Sequence, residues 1–276
     1  MSVRLALVTA AALLATACSQ ATGTSPAADP PAKVPLAGDW IDLTHDLAED
    51  SVFWPTAADY SHEEVMHGHT EGGWFYSSYN ISLSEHGGTH LDAPIHFAEG
   101  METADKVPLD RLIGPAAVID VSRAAQADRD YRFTRQDLLD WEAANGKLPE
   151  GAIVLFHTGF AQFWPDREKY MGTALRGEDG VAALHFPGLS EEAARFLAEE
   201  RQIAAVGLDT PSLDYGQSKD FIAHRVLLGK NIPGFENVTN LDKLPAKGAS
   251  VIALPTKIRN GSGAPLRIVA LVPATN

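Results

Sequence analysis

The stretch YNISLSEHGGTHLDAPIHF, residues 79–97, decides how this chain is read. Ile81 and Leu83 alternate with Ser82 and Ser84, the period-two pattern of a half-buried strand. His86 then precedes Gly87-Gly88. Two adjacent glycines disfavour a continuous helix and let the backbone bend tightly, so His86 and His90 are not expected to be a helical i, i+4 pair. Thr89-His90-Leu91-Asp92 reads as extended up to Pro94. Residues two apart in an extended segment share a face, so His90 and Asp92 point one way while Thr89 and Leu91 point the other. The glycine bend can return His86 to the same point. Two imidazoles and a carboxylate converging there suit zinc, manganese or ferrous iron. His96 follows closely enough to exchange a proton with water activated by such an ion.

Outward from this run, apolar and β-branched segments of strand length recur: 40–45, 116–122, 152–159, 203–210, 250–258 and 266–273. Two helices are expected between them. Thr134 caps RQDLLDWEAAN with Asp137 three places on, and Ser190 caps EEAARFLAEER with Glu191 and Glu192 in the first turn. Strands outnumber helices, and no internal repeat is present. The fold class is α/β, one domain over residues 37–276 with a mixed β-sheet or barrel-like β core flanked by helices.

The totals narrow the function. The chain has 276 residues, 45% of them hydrophobic, enough for a real core. Its formal net charge of −14 is unlike the basic footprint of a nucleic-acid binder. One cysteine, Cys18, leaves no disulfide framework and no thiolate metal site. Arg4, the apolar run 5–14 and the small residues before Cys18 resemble a bacterial lipoprotein signal, although Ala15 stands where leucine is usual. The alternative is an ordinary secretory signal cut near Ala17. Residues 1–18 are therefore read as a signal and 19–36, rich in Ala, Pro, Ser and Thr, as a flexible tether. The mature protein is expected outside the cytoplasm, periplasmic or held at the outer membrane by a lipid on Cys18, with no other membrane contact.

The run His86-Gly87-Gly88-Thr89-His90-Leu91-Asp92-Ala93-Pro94-Ile95-His96-Phe97 resembles the HxGTHxDxPxHF signature of the cyclase-like metal hydrolases. That family includes bacterial kynurenine formamidase and isatin hydrolase, and the similarity runs from Asp42-Leu43-Thr44 to 262–267. The resemblance implies a swivelling β/β/α fold and a homodimer. It assigns His86, His90 and Asp92 to the metal and His96 to proton transfer. It places His224 and Glu236 where some members hold a second ion, with Asp92 bridging; otherwise these two contact substrate. Trp54, with Phe53 beside it, matches an aromatic that lines the substrate pocket, though the family's WPGD is Trp54-Pro55-Thr56-Ala57 here. The cofactor implied is one or two divalent ions, zinc or manganese. Without the resemblance, His224 and Glu236 read as a helix histidine and a loop residue.

Other candidates are weaker. Asp209, Thr210, Ser212 and Asp214 follow a strand, where function often sits, or they simply build a turn. His62-Glu63-Glu64-Val65-Met66-His67 is not HExxH, since the second histidine comes one place late; a solvated loop or flap over the pocket fits 62–73 better. His157 and His185 are expected to be packed and hydrogen-bonded, with His185 a minor pocket candidate. No GxSxG elbow, GxGxxG or GxxxxGK[ST] motif occurs.

The expected reaction is hydrolysis of an amide C–N bond in a small aromatic amide. The metal lowers the pKa of water from ~16 toward ~7 and polarises the carbonyl. His96 takes the proton and returns it to the leaving nitrogen, while Trp54 and Phe53 stack on the substrate. N-formylkynurenine and isatin compete as substrates. The long segment 163–190 favours the isatin side, and export fits poorly with intracellular tryptophan breakdown. A lactone or cyclic imide is a further option. A lipid-tethered protein that binds metal or a small molecule without chemistry is the reading of another class.

Overall fold

A computed structural model describes residues 37–274. Residues 1–36, read above as a signal and a tether and including Cys18, lie outside the described residues. The strands are β1 (Gly38–Asp42), β2 (Ser61–His69), β3 (Phe75–Ser82), β4 (His90–Asp92), β5 (Ile113–Asp120), β6 (Arg132–Phe133), β7 (Ile153–His157), β8 (Gly188–Leu189), β9 (Ala205–Leu208), β10 (Gly234–Glu236), β11 (Lys247–Pro255) and β12 (Gly263–Pro273). The helices are α1 (Leu109–Leu112), α2 (Ser122–Ala127), α3 (Arg135–Asn145), α4 (Arg167–Met171), α5 (Gly177–Ala182), α6 (Glu191–Glu199) and α7 (Ile222–Leu228).

The strand order β1-β12-β11-β5-β7-β9-β10-β4, with β4 also paired to β12, closes seven strands into a mixed barrel and leaves β1 along the outer part of β12. The barrel-like alternative of the sequence expectation holds. Strands β5, β7, β9 and β10 run parallel, and β4, β11 and β12 are antiparallel to their neighbours. The parallel strands are nearly continuous apolar runs because both faces are covered. Ala116, Val118, Ile153 and Leu155 pack with Leu91, Phe235 and Val251 in one core. Ala117, Ile119, Val154 and Phe156 turn the other way, against Leu138 and Trp141 of α3 and Phe196 and Leu197 of α6. A third cluster, with Phe160, Tyr170, Met171, Leu184 and Phe186, holds the long 160–190 segment together.

Both expected helix caps are present. The Thr134 hydroxyl accepts from the Asp137 amide, and the Asp137 carboxylate accepts from the Thr134 amide. The Ser190 hydroxyl accepts from the amide of Ala193.

Two expectations are corrected. Of the segment 62–73, residues 62–69 are strand rather than loop and only 70–73 form a turn, and Ile81 is exposed rather than half-buried. Strands β2 and β3 pair only with each other, forming an antiparallel hairpin. It carries Val65, Trp74, Phe75, Tyr76 and Ile81 exposed. The alternation at 79–84 correctly signals a strand. Period two, however, reports only that side chains take opposite faces, not that either face finds a partner within the chain.

Candidate metal centre

Gly87 and Gly88 bend the chain into the site for two different reasons. A Cβ at Gly87 would fall 1.9 Å from the Phe53 ring, so only glycine lets the strand pass beneath it. Gly88 has φ +62°, a left-handed conformation that glycine adopts without strain. His90-Leu91-Asp92 then runs extended as β4, between β10 and β12. Leu91 enters the core, and His90 and Asp92 share the opposite face. The antiparallel register places Glu236 directly across from His90. Directly opposed residues of such a pair lie on one face, which is why a residue so distant in sequence joins the cluster.

His224 arrives on α7. Asp214 accepts from the amides of Ala223 and His224 in the first turn of that helix, at 3.0 and 3.1 Å, and from His224 Nδ1 at 2.7 Å. One buried carboxylate thus caps the helix and orients the imidazole. Asp214, in the run after β9, does more than build a turn. Asp209 serves a different corner, accepting from the Thr158 amide and hydroxyl and from the Gly159 amide.

The five side chains converge. Asp92 Oδ1 lies 2.6 Å from His86 Nδ1 and 3.2 Å from His90 Nε2, while its Oδ2 lies 3.1 Å from His224 Nε2. Glu236 spans the same gap, with Oε2 3.3 Å from His90 Nε2 and Oε1 3.2 Å from His224 Nε2. Two donor triads result, His86–His90–Asp92 and Asp92–His224–Glu236, with Asp92 common to both. All but His86 are buried.

This donor set fits a divalent cation. His90 Nδ1 donates to the Gly88 carbonyl at 3.0 Å, so its Nε2 presents a lone pair. That Nε2 is buried and makes no hydrogen bond, although two carboxylate oxygens stand within 3.3 Å. A buried polar atom left unpaired costs about 1–3 kcal/mol; a cation between it and the carboxylates removes that cost. The electrostatics agree. Burial opposes the charged form of His90, yet the two carboxylates beside it, Asp92 and Glu236, push its imidazole up to about 10 when no other cation stands between them. Burial likewise opposes ionisation of Asp92, and the charge of His86, with His224 and His90 also facing it, holds it well below the usual carboxylate range. The cluster demands positive charge. With no thiolate, its imidazoles and carboxylates suit zinc or manganese.

His96 stands beside the cluster, in a short 3₁₀ turn after Pro94. Its ring stacks on His86 with centroids 3.8 Å apart. Burial, reinforced by the charges of His86 and His224 and opposed by Asp92 and Glu236, lowers it to about 4. It is therefore a neutral base at neutral pH.

The cluster opens into a cavity of about 250 Å³ lined by Val52, Phe53, Trp54, Phe97, Phe221, Pro211, Ser212 and Asn237, with the metal-site residues and His96 on its wall. Trp54 and Phe53 both line it, but Phe53 is almost wholly buried and offers little more than an edge. Sequence reasoning missed Phe221 and Asn237, whereas Ser212 comes from the run after β9 that the sequence singles out. Phe221 sits at φ +49° before α7, a conformation no local pattern announces. His62 and His67 lie on the hairpin beside Tyr79. His157 lies 3.4 Å from Asp120. His185 bonds Asp130 at 2.7 Å and does not line the cavity.

This fold and cluster define a barrel hydrolase of a known kind. The profile of the putative cyclase family matches residues 41–215, and the chain belongs to that family. It is 35% identical to isatin hydrolase of Roseibium aggregatum over 209 residues, covering 73% of this chain and 77% of that one. It is 32% identical over 190 residues to kynurenine formamidase of Salinibacter ruber, covering 69% and 77%. A crystal structure of an isatin hydrolase bound to the product analogue thioisatinate superposes with a TM-score of 0.78 at 31% identity, covering 86% and 93%.

Proposed function

We propose that this protein is a metal-dependent amidohydrolase that opens the C–N bond of a small, flat, uncharged aryl amide, with a cyclic amide such as isatin favoured over N-formylkynurenine. The observation that carries the preference is the cavity wall. It is aromatic and carboxylate-rich and has no lysine or arginine among its lining residues. N-formylkynurenine brings a zwitterionic amino-acid head whose ammonium and carboxylate would both be desolvated against a wall that is mostly apolar away from the metal-site residues. A fused neutral ring meets no such cost and can lie against the wall formed by Trp54, Phe97 and Phe221, whose rings pack on one another with centroids 5.2–6.3 Å apart.

His86, His90, Asp92, His224 and Glu236 would hold one or two ions, zinc or manganese, with Asp92 giving one oxygen to each triad. The bound ion supplies an acidified water and a polarised carbonyl. His96 does the proton work: its neutral ring accepts the proton of the attacking water and delivers it to the nitrogen as the C–N bond breaks. Stacking on His86 keeps that ring next to the reacting atoms. The aromatic wall orients the substrate and excludes bulk water.

The deciding experiment is metal analysis followed by turnover of isatin, N-formylkynurenine, a lactone and a cyclic imide, using metal-stripped and metal-restored protein. Isatin should be turned over in the restored protein only, with kcat/KM well above that for N-formylkynurenine. Bound metal with no turnover on the whole panel would instead favour the tethered binding protein.

Export with lipidation at Cys18 belongs to the same proposal, and Cys18→Ser should move the protein from the membrane fraction to the soluble one. Among the described residues no helix is long and apolar enough to cross a membrane. A homodimer is also proposed. The hairpin's exposed Val65, Phe75 and Ile81 supply a surface that a second copy can cover. Light scattering should give twice the chain mass, and Ile81→Glu should reduce it.

A further inference from the structure

The three histidines of the centre are held differently. His90 gives its Nδ1–H to the Gly88 carbonyl at 3.0 Å, and His224 gives its Nδ1–H to Asp214 at 2.7 Å. Both therefore turn Nε2 to the cluster. His86 is reversed. Its Nδ1 faces Asp92, and its Nε2 lies 2.8 Å from the Ser262 hydroxyl. That hydroxyl has one proton and a better acceptor for it, since Glu85 Oε2 lies 2.7 Å away and a carboxylate only accepts. Ser262 must then donate to Glu85 and accept from His86 Nε2–H. The proton on Nε2 leaves a lone pair on Nδ1, pointing at Asp92 Oδ1 across 2.6 Å. Two lone pairs cannot face each other at that distance, so the gap holds either a second proton on Nδ1 or, with the ring neutral, a metal cation.

We propose that Glu85 and Ser262 are positioning residues that fix the His86 tautomer, so that His86 binds the metal through Nδ1 while His90 and His224 bind through Nε2. This rests on the metal reading above and extends it to two residues outside the ligand set. The backbone makes the relay rigid. Glu85 Oε2 also accepts from the Ser262 and Gly263 amides at 2.9 and 3.3 Å, and the Ser262 carbonyl accepts from the Ala93 amide at 2.9 Å. Ser262 is thus tied at once to the residue preceding His86 and to the residue following Asp92. Because His96 stacks on His86, the relay also sets the plane of the proton-transfer ring.

Outer hydrogen-bond partners of metal-bound histidines are generally worth about 10–100-fold in metal affinity. The test is zinc affinity by competition with a chromophoric chelator, on full-length wild type, Ser262→Ala, Glu85→Ala, His86→Ala and the doubles combining each relay variant with His86→Ala. The melting temperature of each metal-free protein is read alongside. Ser262→Ala and Glu85→Ala should each weaken zinc binding about 10–100-fold, with no further weakening in the His86→Ala background. Cobalt(II) in the two single variants should show a changed visible spectrum, since the ring that binds it is no longer held. The proposal is overturned if either variant binds zinc as wild type does. It is equally overturned if the loss persists when His86 is absent, because the effect then does not pass through His86. If wild type itself holds no zinc or manganese, the metal reading falls first, and that outcome is separate from both.

Discussion

At the scale of single residues, the proposed centre divides the labour between holding charge and moving a proton. Asp92 is the residue common to both donor triads. Asp92→Ala should therefore strip metal from both and abolish turnover. His96→Ala should keep its full metal content and lose about 10²–10⁴ in kcat, the usual worth of a general base. Metal analysis beside steady-state kinetics separates the two, and an Asp92→Ala protein with full metal and activity would refute the assignment.

His45 makes a different residue-scale argument. Its ring stacks on Trp164 at 4.3 Å, its Nε2 is buried without a partner, and burial, partly offset by Asp46, lowers it to about 4. The unfolded chain takes up a proton there near 6.5, before the folded protein does. Its stabilising contribution is therefore complete above about pH 6.5 and is lost as pH falls from there towards 4, by about 2–4 kcal/mol in all. Denaturant titrations across that window should show His45→Phe losing less stability on acidification than wild type. An identical pH dependence in both proteins would show that His45 is not the group responsible.

At the scale of elements, the site is a matter of strand register. The short strand β4 carries two of the candidate ligands, β10 sets Glu236 across from His90, and β12 sets Gly263 across from Asp92. Gly263 is glycine because a Cβ would lie 2.5 Å from His86 Cε1 and 2.7 Å from the Leu91 carbonyl. Gly263→Ala should push His86 aside or part β4 from β12. The expected cost is about 1–3 kcal/mol, as for other overpacked sites, with a drop in zinc affinity. Wild-type values for both would mean that the strand pair yields more easily than its hydrogen bonds imply.

At the scale of the whole molecule, the candidate ligands come from the glycine bend and β4 and, 132 residues beyond Asp92, from α7 and β10. A cation binding all of them favours the folded state by mass action, about 2.7 kcal/mol when it is present at 100 times Kd. Removing it with a chelator should lower Tm by about 5–10 °C for a domain of this size, and restoring zinc or manganese should recover the loss. A chelated protein melting at the native temperature would show that the cluster holds no structurally coupled ion.

Most of the barrel was legible in the sequence: its parallel strands are buried on both faces and show as apolar runs, and α3 and α6 announce their own caps. The motif run was equally legible, because adjacent glycines and an alternation of His, Leu and Asp are local facts with local consequences. From them alone followed three converging ligands with His96 nearby. The position of Glu236 and His224 was not readable from spacing, since it depends on which strands become neighbours and in what register. Phe221 was hidden because its aromatic face reaches the cavity only through a backbone conformation that the surrounding structure imposes. The hairpin deceived for the complementary reason: alternation reveals a strand but not whether anything covers it. Local chemistry and periodicity thus determined the elements and the first half of the site. Barrel closure decided the rest, because pairing between distant strands is a cooperative property of the whole chain.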